Sequence, residues 1–383
     1  MNYIAVDLFK DFECTADACP STCCAGWGII IDKETCKKMK ENEETLGVPY
    51  EDWLIEGADG RTKAKLVNER CCMLNEQNLC NVVLKLGPEY LSKTCTVYPR
   101  MFRNYGPVQE AYLSVSCPEV IRSLMDKPYV DFDFGEDDTA GSSFQYMDLY
   151  FYESSVRSDL LEIIQGYPQI GLVTRVFACY QIIEKALELH DADCIDYEQL
   201  SPLISAYCRE DILRSFENQL KGVIGEEQRF SFLQQLKLVL AGVKENSIFD
   251  AYREKFITYF ENCNVDKYVE DLAAFREHMK EYAGFYNNYW AYRMFEDFLS
   301  FPDFHESKKK ILYIAAQFCL NQAMALAVYE ANGRKLEKEE YMLIISHISR
   351  VMEHNSVFRK KLTDSMNQNN MISLAGVLLL TFV

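Results

Sequence analysis

From Ser143 almost to the end of the chain, apolar residues return at the three- and four-residue steps of an amphipathic helix, while glycine and proline become rare. Leu160, Leu161 and Ile164 form one such set, and Leu172, Val176, Tyr180, Ile183 and Ala186 form another. The spacing predicts roughly eight to eleven helices in this part, including 228–243, 266–281, 286–299, 308–329 and 338–352. No repeat of fixed period accompanies them.

The first third carries shorter signals. Asp32 stands as an N-cap before a helix that ends near Gly47. Residues 53–60 read as a turn-rich connector, and 61–68 as a short strand or helix. Residues 76–86 place Leu79, Val82, Val83 and Leu86 on one helical face and stop at Gly87-Pro88. Between Cys95 and Pro107 an extended chain is expected, because Pro99 disfavours a helical Tyr98. Residues 127–143 mix proline, glycine, acids and serine without periodicity. The expected organisation is therefore a cysteine-rich region at 1–126, a linker at 127–143 and a helical domain at 144–383. The predicted class is mainly α, with a cysteine-rich, metal-binding N-terminal segment packed on a larger all-helical domain.

Of the 15 cysteines in 383 residues, 10 fall in the first third, at positions 14, 19, 23, 24, 36, 71, 72, 80, 95 and 117. Three physical reasons would gather so many thiols. A disulfide framework requires an oxidising compartment, yet the amino terminus carries acids at Asp7 and Asp11 and no basic, apolar export signal. Cysteines acting as small buried apolar residues account for the scattered Cys179, Cys194, Cys208, Cys263 and Cys319. For the N-terminal set, thiolates gathered around a metal is the best of the three. The short gaps from Cys14 through Cys19 to Cys23-Cys24 let thiolates converge from one turn, and Pro20 and Gly26 interrupt any helix through them. Neither the paired knuckles of a zinc ribbon nor a ferredoxin run is present, so spacing alone does not name the metal.

The runs CPSTCCAGWGIIID, C-x-L-N-x3-L-C, LSKTCTVYPR and LSVSCPE resemble the flagellin lysine-N-methylase family of bacteria. The earlier runs are also similar to smaller zinc- or iron-chelating cysteine-cluster proteins. The resemblance covers about residues 10–120. Beyond them, only YNNYWAYRMFEDFLSFPD, from Tyr286 to Asp303, resembles that family's helical half. It implies a methyltransferase that uses S-adenosylmethionine, acts on lysines of flagellin and holds a [4Fe-4S] cluster, with zinc as the alternative metal. The residues matching the motif are Cys14, Cys19, Cys23, Cys24, Cys72, Cys80, Cys95 and Cys117, twice what one cubane needs, while Cys36 and Cys71 fall outside it. The alternative function is a non-catalytic zinc- or iron-binding interaction protein.

A net charge of -18 argues against nucleic acid as a partner and suits cationic reactants such as lysine and a sulfonium. Keeping the protein soluble is an equally good reason for it. No run approaches the roughly 18 apolar residues of a membrane span, so no span and a cytoplasmic location are expected. The terminal ISLAGVLLLTFV reads as a buried final helix. Gly26-Trp27-Gly28 lacks the third glycine of a dinucleotide loop, which disfavours a doubly wound methyltransferase domain. No hydrolase or metalloprotease motif occurs, and the five histidines form no local ligand set. Candidate cofactor-binding residues are Arg100 and Arg103 beside Cys95, and Tyr286, Asn288 and Arg293. At helical spacing Tyr282, Tyr286, Tyr289 and Arg293 share a face on which aromatic rings could surround a cation, although aromatic packing between helices explains the same pattern. No catalytic base is identifiable.

Overall fold

Two hydrophobic cores organise the chain. The structure, a computed structural model, describes every residue except 1, 58–59, 137–140, 193–196, 222–224, 244–246, 369–370, 372 and 382–383. Ile29, Ile31, Met39, Leu46, Trp53, Leu54, Ala64, Met73 and Val82 form a small core, against which Cys36, Cys71, Cys72, Cys80 and Cys95 pack. The large core runs from Val6 through Leu113 and Val120 into the helices that follow.

A four-stranded sheet caps the helices, in the spatial order Arg100–Tyr105, Val108–Leu113, Asn2–Val6, Phe132–Glu136. Asn2–Val6 lies parallel to Val108–Leu113 and antiparallel to Phe132–Glu136. The segment read as a linker thus contributes an edge strand. Its two phenylalanines alternate with acid and glycine, a pattern too short to stand out, and Phe134 remains 74% exposed at the edge. Gly106 turns the chain between the hairpin strands at φ 67°, where a Cβ would meet the Ser142 carbonyl oxygen at 2.7 Å.

The helices at Glu226–Ala241, Val265–His278, Ala283–Asp297, Glu306–Ala331 and Lys338–His354 match the apolar spacing within a few residues. Twelve α-helices among the described residues follow residue 143, more than expected, because short ones such as Ser201–Tyr207 leave little periodic signal. Glu306–Ala331 opens with a charged first turn and from Ile311 to Tyr329 is buried on nearly every side. It is long and apolar enough to cross a membrane, contrary to the sequence expectation, and 94% of its most apolar window is buried inside the protein. The terminal helix, Leu374–Leu380, buries Val377, Leu378 and Leu380.

Asp32 caps Lys33–Glu41 by accepting from the Thr35 amide at 3.1 Å, and its other oxygen accepts from the Lys93 amide at 2.9 Å. One carboxylate therefore ties this helix to the Lys93–Val97 helix that carries Cys95. That short helix runs two residues past Cys95; beyond it the chain is extended as expected, with Arg100–Tyr105 a strand. The helix expected at 76–86 begins only at Asn81, because Asn75 Oδ1 accepts from the amides of Gln77 and Leu79, both at 2.9 Å. This local turn competes with helix and leaves Cys80 at the N-cap. Residues 62–64 and 66–67 are short strands.

Candidate functional site: a thiol pocket beside a carboxylate cavity

Six cysteines, 14, 19, 23, 24, 80 and 95, line one pocket of about 260 Å³ with Trp27, Ile29, Leu79, Leu91 and Tyr98. Folding joins the two cysteine blocks: the Cys71 amide donates to the Cys24 carbonyl at 2.7 Å, and Ala25 bridges to Arg70. Gly26, at φ 82°, donates its amide to the Glu69 carbonyl at 2.9 Å and completes that seam. All described cysteines are free thiols, and Cys194 lies outside the described residues.

The thiols differ in acidity. A hydrogen bond with Cys23 does most to bring Cys24 down to about 7, against the opposing effect of burial, with help from Thr22 and the Arg70 and Arg350 charges. The same bond and burial raise Cys23. Burial pushes Cys95 up to about 11 and raises Cys19 and Cys80. Among the described residues no three thiol sulfurs lie within 4.8 Å of one another. A tetrahedral zinc would draw its thiolates to about 3.8 Å apart, given zinc–sulfur bonds near 2.3 Å.

Two expected ligands do not line this pocket. Cys72 sits against the small core, where its thiol donates to the Trp53 carbonyl at 3.8 Å. Cys117 is 8% exposed at the N-cap of Pro118–Asp126, still close enough to Cys19 and Cys14 for their charges to couple.

The neighbouring cavity, about 690 Å³, is lined by charge. Its acids are Glu296, Asp297, Glu306 and Glu353; its bases are Arg103, Arg293, Lys309, Lys310, Arg359 and Lys360. Glu353 Oε2 accepts from Ser114 Oγ at 2.8 Å and Ser116 Oγ at 3.1 Å, while Oε1 is shielded from solvent and has no hydrogen-bond partner. Burial raises both Glu353 and Glu296, the latter to about 8 despite the Arg293 guanidinium 2.7 Å away. Glu296, Asp297 and Glu353 all neighbour Arg293, and burial favours the protonated form of Glu296 and of Glu353.

One wall separates the two spaces. The Trp27 indole, lining the thiol pocket, stacks on the His354 imidazole, lining the cavity, with centroids 4.6 Å apart. Trp27 Nε1 donates to the Cys23 carbonyl at 2.7 Å, and Tyr98 lies 3.2 Å from the Ser116 hydroxyl that also reaches Glu353.

The five expected cofactor-binding residues divide. Arg103 and Arg293 line the carboxylate cavity. Arg100 instead donates to the Phe12 carbonyl at 2.9 Å and lies over the Phe9 and Phe12 rings. Asn288 satisfies the carbonyls of Leu124 and Lys127, and Tyr286 donates to Gln322 inside the helical core. Tyr289 and Trp290 are also buried, so this face packs against Phe318. Glu353, Ser114 and Ser116 carry no local sequence signal beyond LSVSCPE, in which both serines neighbour Cys117. The histidines are also closer than sequence distance implied: His305 Nε2 lies 2.8 Å from Asp191 Oδ1, and His190 Nδ1 lies 3.6 Å from it.

Residues 158–380 match the family model described as FliB lysine N-methylase C-terminal domain. This is the half in which the sequence resemblance rested on a single motif. Over 123 residues the chain is 33% identical to the protein named Lysine-N-methylase of Salmonella typhimurium, covering 30% of this chain and 31% of that protein. The Lysine-N-methylase of Salmonella choleraesuis matches over the same length, identity and shares. The Flagellar biosynthetic protein FliU of Salmonella muenchen is also 33% identical over 123 residues, 30% of this chain and 73% of that protein. The aligned stretch thus spans under a third of the two proteins named Lysine-N-methylase. No solved structure matches. With more than half its length matched, the chain belongs to the FliB lysine N-methylase family.

Proposed function

We propose that the protein transfers methyl groups from S-adenosylmethionine to lysine side chains of flagellin, with the six-thiol pocket holding a [4Fe-4S] cluster beside the reaction site. The observation that carries this reading is the shared wall of Trp27 and His354 between the thiols and a cavity holding a carboxylate oxygen without a partner. Cys14, Cys19, Cys23, Cys24, Cys80 and Cys95 would supply the ligands. The choice of a polynuclear iron centre follows from the family resemblance, and the six thiols of the pocket exceed the four that one cubane takes. When bound, the cluster would supply redox-active iron able to coordinate an amino-carboxylate.

The remaining chemistry belongs to the cavity. A lysine ammonium entering it meets Glu353 Oε1, which accepts a proton and leaves the amine neutral. The amine lone pair then attacks the sulfonium methyl group; the N–C bond forms, the C–S bond breaks, and the bonding pair leaves on sulfur as a neutral thioether. The product amine carries the positive charge, and the proton on Glu353 passes to solvent. Ser114 and Ser116 orient the carboxylate by holding its other oxygen.

Glu353→Gln keeps the shape and removes the proton acceptor. Peptide methylation at saturating donor should fall about 100-fold or more, the usual lower range for general-base loss, while the thiol pocket retains its metal. Unchanged turnover in a folded, metal-loaded variant would remove Glu353 from this role.

A further inference from the structure

The charge lining the cavity runs against that of the chain as a whole. Six Lys and Arg side chains face four acids there, in a protein whose net charge is -18. Most of these cations are already engaged. Arg293 pairs with Glu296 and Asp297, Arg103 donates to the Glu296 carbonyl, Lys309 pairs with Glu306, and Lys310 donates to the Leu299 carbonyl. Arg359 and Lys360 differ: among the described residues, neither charged group has an ion-pair or hydrogen-bond partner. Both are exposed, both lie on the Ser356–Gln368 helix, and both line the cavity that contains Glu353.

The cavity is therefore bipolar, with an unpartnered carboxylate oxygen shielded from solvent and two unneutralised cations exposed to it. A lone lysine side chain would be drawn by the first and repelled by the second. A ligand complementary to both carries an ammonium to be buried and negative charge beside it to remain at the surface. We propose that Arg359 and Lys360 select lysines flanked by aspartate or glutamate, so that the substrate segment is an acidic peptide presenting a lysine. This rests on the lysine-methylation reading above and adds a sequence preference to it. The occupant is taken as peptide rather than the methyl donor because the two cations are exposed to solvent, where a protein substrate would arrive.

The test uses the metal-loaded full chain and two fluorescent peptides of equal length, one with Asp on both sides of a single Lys and one with Asn there. Binding is read by anisotropy and methylation by mass. The Asp peptide should bind about tenfold tighter, a difference of about 1.4 kcal/mol, and the preference should shrink as salt rises. In Arg359→Glu/Lys360→Glu the preference should reverse toward a peptide with Lys in the flanking positions. Equal affinity of wild type for the Asp and Asn peptides overturns the proposal, whether or not either is methylated. So does a double variant that loses affinity for S-adenosylmethionine while keeping its peptide preference. Peptide binding with the expected preference but no methyl transfer would support the recognition site and count against the reaction. Matching thermal melts of wild type and double variant exclude misfolding as the cause of any difference.

Discussion

Trp27 and His354, 327 positions apart in sequence, lie face to face at 4.6 Å with their ring planes 14° apart. The contact joins the cysteine segment to the end of the Lys338–His354 helix and makes one surface serve two cavities. Truncation to Ala removes the stack and the hydrogen bond to the Cys23 carbonyl together. Trp27→Ala should lose about 2–4 kcal/mol of stability, near or below the usual cost for a large aromatic because Trp27 is only partly buried. Trp27→Phe should lose less and retain more metal. Urea unfolding with metal analysis of the folded fraction checks both.

His347 provides a second link between the same two parts, its Nε2 lying 3.0 Å from Ser21 Oγ. Burial, reinforced by Arg350, lowers its imidazole to about 3 from the ordinary 6.5. Between these values the unfolded chain binds the proton more readily than the folded one. The stability held by neutral His347 is thus complete above pH 6.5 and is lost as pH falls toward 3, by on the order of 1 kcal/mol per unit. Urea midpoints at pH 7, 5.5 and 4.5 should decline, and His347→Gln should make the decline shallower. An equal slope in both proteins would show that other groups govern acid sensitivity.

Much of the helical half was legible because the 3.6-residue period persists over long segments such as Lys338–His354. The thiol pocket was legible in part. Cys14, Cys19, Cys23, Cys24, Cys80 and Cys95 share one space; Cys117 lies at the N-cap of Pro118–Asp126, and Cys72 turns to the small core because the hairpin strand Leu66–Val67 pairs with Arg70–Cys71 and fixes the chain just before it. The carboxylate cavity was not legible. Its key contacts join Ser114 to Glu353 across 239 positions and Arg103 to Glu296 across 193, and neither local spacing nor composition reports such pairs. Buried aromatics near Tyr286 illustrate the reverse problem: rings spaced for one helix face serve equally as core.

Arg157 fixes the sheet to the helices through a bidentate pair with Glu110 at 2.5 and 2.9 Å, both side chains almost fully buried. Arg157→Met should cost about 3–5 kcal/mol because it leaves the Glu110 carboxylate buried without its cationic partner, held only by the Tyr150 hydroxyl at 3.1 Å. Adding Glu110→Leu should recover much of the loss. Chemical denaturation of the single and double variants measures the coupling directly.

Individual serine replacements should separate the pocket thiols from the bystanders. Loss of a true ligand among Cys14, Cys19, Cys23, Cys24, Cys80 and Cys95 should reduce iron content and the broad visible absorbance of the anaerobically reconstituted protein. Cys72→Ser, and Cys319→Ser in the helical core, should leave the absorbance in place. Colour that depends on Cys72 or Cys319 and on none of the six would place the metal elsewhere.

The most direct measurement is mass spectrometry of flagellin after incubation with the anaerobically reconstituted protein and S-adenosylmethionine. The account expects increments of about 14 Da per methyl group, on lysine side chains only. Wild type should produce them, and folded, metal-loaded Glu353→Gln should not. An absence of increments across several flagellins with the metal centre intact, or equal increments from wild type and Glu353→Gln, would contradict a methyl-transfer site built between the thiol pocket and Glu353.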